Sequence, residues 1–183
     1  MEYNILDQDV TQPQNIVYAG FWERVGASFI DFLIMIPVIV ITVINAVNWK
    51  SLILSIILGL VWITYKIYLE GTRGNTIGKK AMRIRIVDAN MQTINMSKSI
   101  TRNCLYIINT IVGLASTFMI YNNADFSEID SWMEYGRYQN ENGMLLQSLV
   151  SIGIFISVIF VAFDSKKQAL HDKIANTYCI KES

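Results

Sequence analysis

Charge is scarce in this chain and unevenly placed. Only 16% of its 183 residues are Asp, Glu, Lys or Arg, against about 25% in an ordinary soluble domain. That charge gathers between long stretches with almost none, the pattern of a chain solvated partly by lipid. Cysteine is nearly absent too. Cys104 and Cys179 lack CxxC spacing and make neither a disulfide framework nor a metal site. The single histidine, His171, has no cluster of ligands around it, which argues against zinc or iron. Proline occurs twice, and Pro37 in an apolar run bends one helix at most. The start of the chain is not a secretory signal, because residues 1–20 are polar and carry Glu2, Asp7 and Asp9 in place of a basic region. No repeat or low-complexity tract is visible, and no nucleic-acid partner is expected.

What is present is hydrophobic length. Apolar residues make up 52% of the chain, and four segments are long enough to span about 30 Å of hydrocarbon. They cover residues 27–46, 52–69, 104–121 and 145–163. The third is diluted by Asn109, Thr110, Ser116 and Thr117, so a three-pass version with 104–121 lying in the interface is the alternative. Soluble core helices would need polar faces, and residues 38–44 and 53–62 have none. The expectation is an all-α membrane protein with about four transmembrane helices. Residues 1–26 form an N-terminal segment, 27–163 the transmembrane domain and 164–183 a C-terminal tail.

Orientation follows from the basic residues. The connection 70–103 holds Arg73, Lys79, Lys80, Arg83, Arg85, Lys98 and Arg102, and the tail adds Lys166, Lys167, Lys173 and Lys181. The connection 122–143 has Arg137 alone among Asp125, Glu128, Asp130, Glu134 and Glu141. Positive charge stays in the cytoplasm, which places the basic connection and both termini inside.

The basic connection has a pattern of its own. Residues 71–75 read as a turn. Met82-Arg83-Ile84-Arg85-Ile86 alternates with the period of a half-buried strand, Asp88-Ala89-Asn90 turns, and residues 92–96 return, giving a small cytoplasmic β-hairpin between the second and third helices. Ser97 is placed to cap the helix that carries Arg102. Arg83 and Arg85 face water or anionic lipid headgroups, each worth about 1 kcal/mol; the alternative is that they only set topology. Gly74 to Lys80 is no phosphate loop, because Gly-x-x-x-x-Gly-Lys must be followed by Ser or Thr and here Lys80 follows. No catalytic set can be assembled, so neither an enzyme nor a cofactor is expected.

Charge inside the spans carries the functional information. Asp31 lies one turn into the first helix, where an aspartate costs roughly 2.5 to 3.5 kcal/mol at the centre and less nearer an end. Arg24 is two turns earlier on the same face, and Lys66 lies at similar depth on the second helix. A cluster of Arg24, Asp31 and Lys66 reads either as a structural ion pair or as an ion and proton site.

These residues add up to a resemblance. Phe21-Trp22-Glu23-Arg24-Val25-Gly26-Ala27 leading to Ile30-Asp31 resembles the opening of RDD-family membrane proteins, named for one arginine and two aspartates. Gly71, Gly74-Asn75-Thr76-Ile77-Gly78-Lys79-Lys80 and Arg83 to Asp88 are similar to the family's loop, and residues 97–102, ending at Arg102, fit its end. Gln168-Ala169-Leu170-His171-Asp172 is similar to the closing segment and supplies the second aspartate. The acidic connection 122–143 departs from the pattern as an insertion, as does Asn75, where glutamine is usual.

The resemblance implies a bacterial cell-membrane protein involved in transport, with sodium (or other monovalent cation)/proton exchange as the activity. Asp31 is then the coupling carboxylate, with Arg24 and Asp172 as partners, in a homo-oligomer. The other class is a non-transporting accessory protein that anchors, assembles or regulates a membrane partner. Asp31 at depth favours transport, while the small size and missing inverted repeat favour the accessory role.

Overall fold

The computed structural model describes residues 16–142 and 144–182, so the first fifteen residues of the expected N-terminal segment lie outside the described residues. Four long helices form the body: α1 (Phe21–Ile44), α2 (Leu52–Arg73), α5 (Cys104–Tyr121) and α7 (Met144–Phe163). Two short helices, α3 (Ile77–Ala81) and α4 (Met96–Arg102), fill the connection between α2 and α5, with strand β1 (Ile84–Asp88) between them. After α5 come a 3-10 turn (Ala124–Glu128) and α6 (Trp132–Asn142). The chain closes with α8 (Leu170–Ile174) and β2 (Thr177–Lys181). Helix α2 packs on α5, α5 on α7, and α1 touches both α2 and α7, so the four long helices form a ring.

The ring is built inside out. Along α1 the buried residues are Arg24, Ala27, Asp31 and Met35, at a spacing of three to four that defines one face. Phe29, Phe32, Leu33, Ile36 and Val40 are exposed on the outside. An apolar exterior around a polar interior is stable in hydrocarbon and not in water. Among the described residues, three stretches are long and apolar enough to cross a membrane: Phe21–Trp49, Leu52–Arg73 and Cys104–Tyr121. The diluted third segment is among them, and Gln147–Phe163 is a shorter apolar helix.

The hairpin expectation is corrected in its partner. The strand expected around Arg83 and Arg85 forms as β1, but it pairs antiparallel with β2 from the end of the chain, in the register Ile84↔Lys181 and Ile86↔Cys179. The expected return at 92–96 contributes a single bridge, Val87↔Thr93. Thr177-Tyr178-Cys179-Ile180 offers β-branched and aromatic residues along a full ladder, whereas Asn95 is spent as the cap of α4, accepting from Lys98 N at 2.9 Å. Ser97 is therefore not the cap. Residues 164–182 are folded onto the bundle and do not trail from it. Tyr18 bridges Ile180 on the other edge of β2. Ile84, Ile86, Ile94, Cys179, Ala19 and Ala27 form the small core that docks this sheet on the helix ends.

Candidate functional site

Five elements each send one charged side chain to the end of the bundle that carries the sheet. Arg24 comes from α1, Glu70 from α2, Lys79 from α3, Arg102 from α4 and Asp172 from α8. They alternate in sign through space. Arg24 Nη1 and Arg102 Nη1 contact the two oxygens of Asp172, Arg102 Nε lies 3.3 Å from Glu70 Oε2, and Lys79 contacts Glu70 Oε1. Glu70 and Asp172 are 1% and 0% exposed. Burying carboxylates this completely is tolerable only because each has two basic partners and a further hydrogen bond. Asn103 Nδ2 donates to Glu70 at 2.9 Å, and Ala169 N donates to Asp172 at 3.0 Å. Arg102 also donates to Thr177 Oγ1 and Cys179 Sγ, which ties the ladder to β2.

Asp31 is held differently. It accepts from Tyr65 Oη at 2.6 Å, Thr76 Oγ1 at 2.6 Å and Gly78 N at 2.7 Å, all neutral donors. Neither Arg24 nor Lys66 forms an ion pair with it among the described residues. The carboxylate thus pins the start of α3 against α1. Gly78 is required there because a Cβ would sit 2.0 Å from the Ala27 carbonyl oxygen. Gly74 ends α2 in the left-handed region at φ +74°, where glycine carries no steric cost.

Between ladder and clamp lies a cavity of about 60 Å³, walled by all four long helices and lined by Arg24, Asp31, Lys66, Glu70, Lys79 and Arg102 among others. At about 10–15 Å³ per ordered water it holds roughly four. Lys66 makes no ion pair among the described residues, and its ammonium stands 3.4 Å from the centre of the Tyr106 ring, a cation–π contact.

Protonation outside the spans follows from burial and neighbours. Burial raises the Asp172 carboxyl, but Arg102 and Arg24 outweigh it and hold the group well below the usual carboxylate range. Burial disfavours charge on His171, and although Asp172 opposes this, its pKa is pushed down to about 3. The ring is neutral at physiological pH, with Nδ1 3.1 Å from Ser157 Oγ.

A family model described as the RDD family matches residues 18–176. The chain belongs to the RDD family. RDD domains occur in membrane proteins, in keeping with the apolar exterior of the ring. Neither the curated proteins nor the solved structures give a match.

In this RDD protein Arg24, Asp31, Lys66, Lys79 and Arg102 all reach one cavity, with Asp172 directly behind its wall. Gly78 supports the clamp from α3, and Gly74 stays a turn residue away from the charge. Sequence reasoning did not select Glu70, which is buried as Asp31 and Asp172 are. Its spacing of four from Lys66 placed both on one face of α2, and that was the available signal. Thr76 stood in the loop that carries the resemblance without being singled out, and Tyr65 and Asn103 gave no signal, because single hydroxyls and amides carry no pattern.

Proposed function

We propose that this protein is a transporter that moves protons through the charged cavity in exchange for a monovalent cation. The observation that carries the reading is Lys66, a lysine facing a polar cavity inside an apolar bundle that forms no ion pair among the described residues. A lysine in that setting shifts its proton affinity readily, so its charge depends on what shares the cavity. A cation entering near Asp31 and a proton on Lys66 exclude one another electrostatically, which is the coupling an exchanger needs. Asp31 then acts as the cation-side group by releasing Tyr65 or Thr76. Glu70 and Asp172, already saturated by arginine and lysine, serve as scaffold. The reading involves no covalent chemistry.

The supporting topology has four spans in a bacterial inner membrane, with α7 as the fourth and with both termini and the basic connection in the cytoplasm, where lysine and arginine are retained. Arg83 and Arg85 then lie at the height of anionic lipid headgroups. A homo-oligomer is the working unit, because a ring of four helices with so small a cavity does not enclose a full pathway.

The test is dye-reported proton flux in proteoliposomes under imposed sodium or potassium gradients, with wild type, Lys66→Met and Asp31→Asn. Flux in the wild type that vanishes with Lys66→Met supports the reading. Flux that persists in both variants rejects this cavity as the pathway. No flux from folded wild-type protein supports the accessory role instead.

A further inference from the structure

We infer that the charged cavity and an apolar groove beside it form one binding site for an anionic lipid, its phosphodiester at Lys66 and an acyl chain along α1. The groove, about 270 Å³, is lined by Phe32, Met35, Val38, Ile39 and Trp62. Trp62 also walls the cavity, so the two spaces share a side chain. On α1 they form one continuous stripe. Arg24, Ser28 and Asp31 line the polar part, and Met35 and Val38 extend the same spacing into the apolar part. From Ser28 to Ile39 the helix rises about 16 Å, close to one leaflet of a hydrocarbon core about 30 Å thick. Phe32 and Ile39 are exposed on the outside of the bundle, so the groove is open to the surrounding lipid.

Charge decides the head. Arg24 and Arg102 pair with Asp172, Lys79 and Arg102 pair with Glu70, and Asp31 is satisfied by neutral donors. With Lys66 protonated, four basic side chains stand against three carboxylates and one positive charge is left over; of these four, the one that forms no ion pair among the described residues is Lys66. The cavity's size suits one compact oxyanion. A phosphodiester there gives Lys66 its missing counter-ion. A zwitterionic head would bring its own ammonium beside Lys66, while Asp31 and Glu70, which share the lining, have their oxygens already taken by Tyr65, Thr76, Gly78, Lys79 and Arg102.

The inference rests on the cavity as the working site. It is read without a gradient, so intact lipid preference with no ion flux overturns the transport reading alone. Native mass spectrometry of the purified full chain, titrated with phosphatidylglycerol and with phosphatidylcholine of the same acyl chains, is the experiment. Phosphatidylglycerol is expected to bind about tenfold more tightly, the worth of one charged hydrogen bond. Lys66→Met should abolish the preference and Lys66→Arg keep it, while Val38→Trp, which fills the groove, should weaken both lipids. Equal binding of the two lipids overturns the proposal, as does a preference that survives Lys66→Met, which would assign it to Arg83 and Arg85. Unchanged binding in Val38→Trp, or displacement by equimolar inorganic phosphate, would show that the anion is held without its chain and would equally overturn it. Should Lys66→Met not fold, the Lys66→Arg and Val38→Trp results decide.

Discussion

The two ends of the helix ring solve the same problem with opposite chemistry. At the sheet end, buried arginine, lysine, aspartate and glutamate alternate through five elements. At the other end the buried polar groups are neutral. Asn45, in a π-helical turn after α1 (Asn45–Trp49), donates to Ser55 Oγ at 2.7 Å and to the Ser51 carbonyl at 2.9 Å, and Ser55 Oγ bonds Tyr121 Oη at 2.5 Å. Ala46, Ile120, Phe126, Ile129 and Tyr135 close over that knot as an apolar lid. The acidic residues of the 122–143 connection, Asp125, Glu128, Asp130, Glu134 and Glu141, are all exposed. The most acidic stretch of the sequence is therefore where charge is solvated, whereas the basic connection buries Glu70 and Arg102 and leaves Arg73, Lys80 and Arg83 exposed. A charged side chain informs about function when it has left water, since only then does its pairing decide stability and protonation.

The sharpest way to break this contrast is to remove Asp172. Asp172→Ala leaves Arg24 and Arg102 buried without their shared carboxylate and should cost about 3–5 kcal/mol, seen as a collapse of the melting temperature in detergent. Gly78→Ala comes next. Its Cβ clashes with the Ala27 backbone, so α3 must move off α1 and Asp31 loses a donor, at about 1–3 kcal/mol in the same assay. The neutral end should respond less. Tyr121→Phe removes the hydroxyl from Ser55 and is expected to cost about 1 kcal/mol. Smallest of all is Arg85→Ala, whose partner Glu182 is 3.6 Å away and 41% exposed. It should change stability by less than about 1 kcal/mol.

Acid should separate the ends without mutation. His171 titrates near 3 in the folded protein and near 6.5 when unfolded. Between those values the unfolded chain binds a proton that the native one refuses, so stability falls as pH drops through this window and is fully present above 6.5. Asp172, also depressed, adds a loss at lower pH still. Replacing His171 with Gln should flatten the fall between pH 6.5 and 4 in thermal melts. An unchanged slope would show that His171 is already protonated in the native bundle.

Much of the membrane architecture was legible along the chain. The run 104–121 corresponds to α5, and 52–69 lies within α2, because hydrophobic length is a local property that the bilayer reads directly. Arg24, Asp31 and Lys66 were also legible, since charge in an apolar run stands out with no knowledge of its partners. Helix α1 begins earlier than the apolar run does, at Phe21, because Glu23 folds back on Gly20 and Asp172 compensates Arg24. The partners were not legible. Asp31 lies among neutral donors and Arg24 meets Asp172 from 148 positions away, a pairing set by where the closing segment docks.

The sequence by itself determined that this chain has helices with apolar flanks, a basic connection and a few charged residues at depth, because those depend on composition and period. Only the tertiary structure decided which strand completes the sheet, which carboxylates neutralise which arginines, and which lysine is left over. Those outcomes depend on long-range contacts that compete for the same donors, and the winner is the arrangement that leaves the fewest buried charges without a partner.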